Sequence, residues 1–346
     1  MTAAEPPPPT DPAARAPLLS VTVLNYNYGR FLGQCLDEVL AQSYPHFEVI
    51  VVDDCSQDDS LRVVEPYLAD PRVRLVAHTT NQGFTRSLIE ATEEHSRGEF
   101  VMVISADDRT LRPDAFARQL ALLIERPDVA WVHTAFERFD SASGRLIEAA
   151  YVLPQDTVLS GVAALRSVLL DVPPPMHSGT IIRKSAYDAA GGYRRDILAH
   201  IDYAIWPLLC LEGAMGYLAQ PLYGYRMHGA QMTRDVGRMR RDVRDTVSAI
   251  QAACARARER GLAIGDLERE TVRKALFQGA ANDAWSGRPR AALRRWSLAA
   301  RARPDALASR YPWLVLARLL LGERLVGGLR QAYRRARGRG PAEATT

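Results

Sequence analysis

Phe47-Glu48-Val49-Ile50-Val51-Val52-Asp53-Asp54-Cys55-Ser56 and, later, Gly98-Glu99-Phe100-Val101-Met102-Val103-Ile104-Ser105-Ala106-Asp107-Asp108 are apolar runs that each lead to a pair of aspartates. Short β-branched runs of this kind read as buried strands of a parallel sheet. Open α/β sheets bind ligands at the carboxyl ends of their strands. Two acid pairs at two such ends crowd carboxylates onto one rim. That is unfavourable unless a cation or the donors of a ligand sit among them.

The surrounding sequence repeats the alternation. Residues 18–24 form a first apolar run, broken by Asn25-Tyr26-Asn27-Tyr28-Gly29, which has turn chemistry. Residues 30–42 carry Phe31, Leu32, Cys35, Leu36, Val39 and Leu40 at helical spacing. Strands are expected at 47–52, 73–78, 100–104 and 130–136, with helices at 58–68, after 83, and from 111 to about 125. Strand and helix alternate, which predicts an α/β fold with a doubly wound, mostly parallel sheet. After residue 143 the pattern loosens to a short strand at 180–182, a helix at 201–211 and paired short strands around Pro221. Residues 231–340 read as helical and Arg-rich, with a break at Gly287-Arg288-Pro289 between an antiparallel pair, 274–285 and 289–302.

Composition bounds the function classes. The 346 residues are 47% hydrophobic and 24% charged, with a net charge of +4, as in a soluble globular protein. Lys184 and Lys274 are the only lysines among 44 basic residues, so arginine is a bias of the whole chain and no single Arg is a signal. In the first 230 residues no face interleaves basic and aromatic residues, which argues against a nucleic-acid partner. The four cysteines, Cys35, Cys55, Cys210 and Cys254, form no C-x-x-C and read as free thiols of a reducing compartment. Residues 1–17 are Pro/Ala-rich, without a secretory pattern, and read as a disordered tail. No stretch of about 18 apolar residues is uninterrupted.

In order and spacing, five motifs resemble the family 2 glycosyltransferases. These are Ser20-Val21-Thr22-Val23-Leu24-Asn25-Tyr26-Asn27, then Leu40-Ala41-Gln42-Ser43-Tyr44-Pro45 followed by the 47–56 run, then Asn81-Gln82-Gly83, Gly98-Glu99-Phe100 and Asp107-Asp108. The resemblance spans about residues 20–233. It implies a GT-A fold over 18–233, with a nucleotide-binding half at 18–140 and an acceptor half at 141–233. A helical C-terminal region at 234–340 and a short tail at 341–346 follow.

The resemblance also implies roles. An inverting enzyme moves a sugar from a nucleotide-diphospho-sugar, by family habit UDP or dTDP, to a hydroxyl acceptor such as a glycan or polyprenol-linked glycan. The donor is expected against Asn25, Tyr26, Asn27, Asp53, Asp54, Arg86 and Asp107, with Asp54 accepting the N–H of uracil or thymine. Taken alone, the Asp53–Asp54 pair would equally suit the entry of the following helix. Asp107 and Asp108 resemble the metal-binding acids, for Mg²⁺ or Mn²⁺. Ser105 stands where an acid is frequent, so which of the two is the direct ligand stays open, Asp108 being preferred. His228, in Tyr225-Arg226-Met227-His228, is a further metal candidate. Asp202 in Ala199-His200-Ile201-Asp202-Tyr203 stands at the catalytic base. His177, Trp206 and Arg226 are expected at the acceptor or diphosphate.

Residues 311–329 are apolar but interrupted by Arg318, Glu323 and Arg324, and an Arg-rich tail follows. Two readings stand: an interfacial helix on the anionic inner face of the plasma membrane, or a helix packed on the protein. The expected location is cytoplasmic, with peripheral membrane contact in the first case. The rival to an enzyme is a non-catalytic GT-A-like nucleotide-binding or scaffold subunit, suggested by Ser105 and Ile201 standing where the family often has acids.

Overall fold

The computed structural model describes residues 16–170, 174–197, 201–229, 231, 236–285 and 288–302. The chain divides into two compact units, 1–234 and 235–346. The first unit opens with β1 (Leu19–Asn25), α1 (Gly29–Leu40), β2 (Phe47–Asp53), α2 (Ser60–Val64), β3 (Val73–Ala77), α3 (Phe84–Glu90) and β4 (Phe100–Ser105). It continues with β5 (Arg109–Thr110), α4 (Ala115–Glu125), β6 (Val129–Asp140), β7 (Leu146–Ala150), β8 (Thr157–Leu159) and α5 (Gly161–Leu170). It closes with β9 (Ile181–Arg183), α6 (Lys184–Ala190), α7 (Ile201–Glu212) and β10 (Ala214–Met227).

The sheet order is β3-β2-β1-β4-β9-β6-β10-β5, with β7 beside β6 and β8 beside β10. β1, β2, β3 and β4 are parallel, as are β6 and β10. β9 is antiparallel to both β4 and β6, so those two run the same way. The carboxyl ends of β1 to β4, β6 and β10 therefore share one edge, where the aspartate pairs sit. Every residue of β1 and of β2 is buried, as the unbroken apolar runs require of central strands. α1 lays Phe31, Leu32, Cys35, Leu36 and Val39 on the sheet.

Three local expectations change. The helix expected at 58–68 is α2 followed by a 3₁₀ turn, Glu65–Ala69, because Pro66 supplies no N–H for a continuing helix. The paired short strands around Pro221 are one strand of 14 residues, β10. Its register against β6 shifts on both sides of Pro221, which absorbs the missing donor. The strand expected at 130–136 runs on to Asp140 and turns back as β7.

The second unit contains α8 (Val236–Glu259), α9 (Leu267–Trp285) and α10 (Pro289–Ala302). α9 and α10 pair as the antiparallel hairpin expected at the Gly287-Arg288-Pro289 break, with Phe277 against Trp296. Asp283, 1% exposed, is held by Arg288 and Arg295, each at 2.7 Å. Among the described residues no helix is long and apolar enough to cross a membrane. The interfacial helix read at 311–340, the C-terminal tail and residues 1–15 of the expected N-terminal tail lie outside the described residues, while the carbonyls of Ala16 and Pro17 pair with His46 and Tyr44.

Candidate active site

Two strand-end loops are tied together at the carboxyl ends of β1 and β2. Asn25 Nδ2 donates to Asp53 Oδ2 at 2.6 Å and to Ser56 Oγ at 3.2 Å. Ser56 N donates to Asp53 Oδ1 at 2.9 Å. Asn27 N donates to Ser56 Oγ, and Asn27 Oδ1 accepts from Gln57 N at 2.7 Å. Asn27 has φ +57°, a left-handed conformation that Asn tolerates better than most residues. Asp53 thus spends both oxygens on holding the loops. Asn25 Oδ1 is buried without a partner, an unsatisfied acceptor at the end of β1. Tyr26 is 44% exposed beside it.

Asp54 is organised differently. Its Oδ1 accepts from His78 Nδ1 at 2.9 Å and Gln82 N at 2.7 Å, and its Oδ2 accepts from Gly83 N at 2.8 Å. Burial pushes this carboxyl up, but the bonds from His78, Gln82 and Gly83 outweigh it and hold it below the usual range. Asp54 is therefore a fixed anion at the entrance of α3. Arg86, in the first turn of α3, is exposed.

The second acid pair lies at the end of β4. Asp107 and Asp108 are 6% and 4% exposed. Asp107 Oδ2 is 2.9 Å from His228 Nε2. Asp108 Oδ2 accepts from Ser178 Oγ at 2.5 Å, and its Oδ1 from Arg226 N at 3.3 Å. Burial raises both carboxyls above their ordinary range. In Asp108 the adjacent Asp107 charge adds to it, and in Asp107 the His228 bond partly offsets it. His228 packs edge-on to Tyr28 and against Phe31, and its Nδ1 is buried without a partner.

The His177-Ser178-Gly179 loop before β9 joins this pair to the second half of the domain. Ser178 Oγ donates to Asp108 and accepts from Ser105 N at 3.1 Å. His177, one residue earlier, bonds Tyr193 Oη through Nε2 at 2.8 Å and packs among Phe84, Tyr193 and Trp206. Burial lowers the His177 pKa, partly offset by the Asp202 charge, which also adds to the burial that raises Tyr193. Asp202, in the first turn of α7, is therefore within electrostatic reach of the loop whose next residue holds Asp108. Trp206, expected near the acceptor, is 1% exposed and stacked on Trp131 with centroids 4.9 Å apart, so it backs His177 from within the core.

Arg226 is built in. Its Nε donates to Asp107 O at 2.7 Å and its Nη2 to Gln34 Oε1 at 2.8 Å, while the guanidinium lies over Phe31 and Phe139. This exposes a support that residue-type reasoning missed: the polar series Gln34 and Glu38 on α1 and Gln42 just past its C-terminal end. Glu38 accepts from Arg109 Nε and Thr110 N, each at 2.9 Å. Gln42 accepts from Phe116 N and donates to Arg112 O. Polar side chains at i, i+4 and i+8 on a helix lie on one face, and that spacing was the available signal. His78 was also missed, a lone histidine after a strand.

The sequence profile described as "Glycosyl transferase family 2" matches residues 20–191. The chain is 29% identical to EpsE of Bacillus subtilis over 215 residues, 61% of this chain and 73% of that one. It is 26% identical to the chondroitin synthase of Escherichia coli over 216 residues, 62% of this chain but 30% of the synthase. Among solved structures it resembles residues 1–349 of S. aureus TarS in complex with UDP-GlcNAc, with a TM-score of 0.63, 16% identity and 86% of each chain covered. At that identity the likeness to TarS speaks for a GT-A fold alone. With the ordered motifs, the curled sheet and the acid-lined rim, these matches make the chain a member of the family 2 glycosyltransferases.

Proposed function

We propose that this chain transfers a sugar with inversion from a pyrimidine nucleotide-diphospho-sugar, UDP- or dTDP-linked, to a hydroxyl of a glycan or polyprenol-linked glycan. The observation that carries the reading is the buried Asp107–Asp108 pair, whose charge its surroundings penalise, on the same rim as the anchored Asp54. Two adjacent buried carboxylates fit a hard divalent cation, and the orphaned His228 Nδ1 adds a donor nearby. Among the described residues no three His, Cys, Asp or Glu side chains are grouped to hold an ion by themselves. That suits Mg²⁺ or Mn²⁺ bound by one or two carboxylates and completed by substrate phosphates. When bound by Asp108 and Asp107, such an ion supplies neutralisation of the charge developing on the leaving diphosphate.

The chain's own residues do the rest. Asp54 has three of about four acceptor positions filled, and the free one is on Oδ2. A single N–H, as in uracil or thymine, matches one open position. Guanine offers two parallel donors and wants both oxygens of a carboxylate. Asn25 Oδ1 and Tyr26 suit the ribose and base. Asp202 takes the proton of the attacking hydroxyl, a role for which one carboxylate suffices. Ser178 holds Asp108, and Arg226 holds the Asp107 main chain. Docking of 311–340 on an anionic membrane belongs to the same reading, since it would bring the enzyme to lipid-linked acceptors.

Calorimetric titration of UDP, dTDP and GDP with and without Mn²⁺, on wild type and Asp108→Ala, tests the proposal. Metal-dependent binding of a pyrimidine nucleotide, lost in the variant, is expected. No binding by folded protein would refute it in favour of a scaffold. Asp202→Asn should retain nucleotide binding and lose turnover by about 10²–10⁴-fold.

A further inference from the structure

We infer that His78 is a positioning residue for donor recognition: its Nδ1–H sets the rotation of the Asp54 carboxylate, so that the remaining Oδ2 lone pair faces the N–H of the base. The inference rests on the nucleotide reading of Asp54 above. Asp54 has one side-chain donor, His78, and two main-chain donors, Gln82 N and Gly83 N. The main-chain donors belong to the loop that Asp54 itself organises, and they move with it. His78 is anchored independently. It follows β3 directly, and its own N–H donates to Asp53 O at 2.9 Å, pinning it to the end of β2. Its side chain is 5% exposed, and Glu90 of α3 lies 3.2 Å from Nε2 on the far side of the ring. An ionised carboxylate only accepts, so Nδ1 must carry the proton in the Asp54 bond. The imidazole is thus seated between the carboxylate that would read the base, to which it is hydrogen-bonded through Nδ1, and an acid of the next helix that stands beside Nε2 without a hydrogen bond.

Losing the Nδ1 bond frees the Asp54 carboxylate to turn about its last bond, and the open lone pair no longer has a defined direction. Base contacts are made equally in the ground and transition states, so the loss falls on affinity rather than on the chemical step. Asparagine carries its amide nitrogen on the same carbon that bears Nδ1 in histidine, and so restores the donor. Glutamine carries it one bond further and does not.

The test measures UDP binding with Mn²⁺, donor KM and kcat, and Mn²⁺-dependent pyrophosphate binding, for wild type, His78→Gln, His78→Phe and His78→Asn. A charge-assisted hydrogen bond of ordinary strength corresponds to about a tenfold change in affinity. Kd and KM for the nucleotide should rise about tenfold in His78→Gln and His78→Phe, with kcat and pyrophosphate binding within about twofold, and His78→Asn should recover to within about threefold. His78→Asn as weak as His78→Gln, or pyrophosphate binding lost in parallel with UDP, would mean a merely structural histidine and overturn the inference. Unchanged UDP affinity in all three variants overturns it while leaving the nucleotide reading intact. Wild type that binds neither UDP nor dTDP takes both down.

Discussion

Gly179→Ala is the substitution whose effect the structure fixes most closely. Gly179 has φ +84°, and a Cβ there would lie 2.3 to 2.5 Å from three atoms of the Tyr223 ring. That ring cannot retreat. Tyr223 is 1% exposed, and its hydroxyl donates to Gln119 Oε1 at 2.6 Å, while Gln119 Nε2 donates back to Gly179 O at 2.8 Å. The left-handed backbone costs an L-residue about 1–2 kcal/mol. Forcing a methyl into a packed core adds about 1–3 kcal/mol. The sum, roughly 2–5 kcal/mol, lowers the melting temperature of a domain this size by on the order of 10 °C. Gly144→Ala is the control: φ is +66° with nothing within 4 Å of the added carbon, so the same backbone cost of about 1–2 kcal/mol stands alone. Gly179→Ala must also displace Ser178, and with it Asp108, so turnover should fall below wild type at temperatures where the variant is folded. Denaturant unfolding that puts Gly179→Ala within about 0.5 kcal/mol of Gly144→Ala would refute the clash argument.

Three further outcomes follow from buried charge. Asp108 has a folded-state pKa above its ordinary value, so the folded chain binds the extra proton, and stability falls as pH rises through the window from the ordinary value to the raised one. Asp108→Asn should therefore melt higher than ligand-free wild type at pH 8, the gap closing toward pH 4, while losing Mn²⁺-dependent UDP binding; a lower melting temperature at pH 8 contradicts this. His133 is buried with both ring nitrogens unpartnered, and burial pushes its pKa from 6.5 down to about 3. Its contribution is intact above about pH 6.5 and lost as pH falls toward 3, so between pH 6.5 and 4.5 His133→Phe should remove roughly 2–3 kcal/mol of acid sensitivity from denaturant unfolding. An unchanged slope would mean that the ring takes up a proton without cost. Glu48, 3% exposed at the opposite edge of the sheet, accepts from Arg97, Arg74 and Ser20. Glu48→Gln should lose roughly 1.5–3 kcal/mol of stability and leave the nucleotide Kd of the folded protein unchanged; a shifted Kd would show the two edges to be coupled.

The central strands were legible because their signal is local. Residues 18–24, 47–52 and 100–104 are unbroken apolar runs, and β1, β2 and β4 follow them within a residue or two. β10 was misjudged because Pro221 reads as a breaker locally, whereas the shifts against β6 that accommodate it depend on tertiary pairing. The site divides the same way. Asp54, Asp107 and Asp108 announce themselves as acids at strand ends. Trp206 was expected at the acceptor or diphosphate from the family resemblance, and only packing turns it inward onto Trp131. His78 and Ser178 carry no local mark, since each earns its place by reaching a carboxylate far along the chain.

The half proposed to hold the acceptor stayed unread for a related reason. Its surface is set by the 177–197 loops and the start of α7, whose partners are aromatic edges and single hydroxyls rather than a repeated motif. The acid pair has the opposite character, being over-determined from three directions. Glu38 of α1 and Gln42 just past it grip the segment that follows the pair, the end of β10 delivers Arg226, itself held by Gln34, and then His228, and the loop before β9 delivers Ser178. Keeping two adjacent buried carboxylates in register against their own repulsion requires that much scaffolding. A rim whose acids are rigid and whose facing wall is made of individually replaceable contacts can keep one transfer chemistry while the acceptor changes. The parts of this chain that a sequence pattern can name are accordingly the parts to which the proposed function assigns the donor.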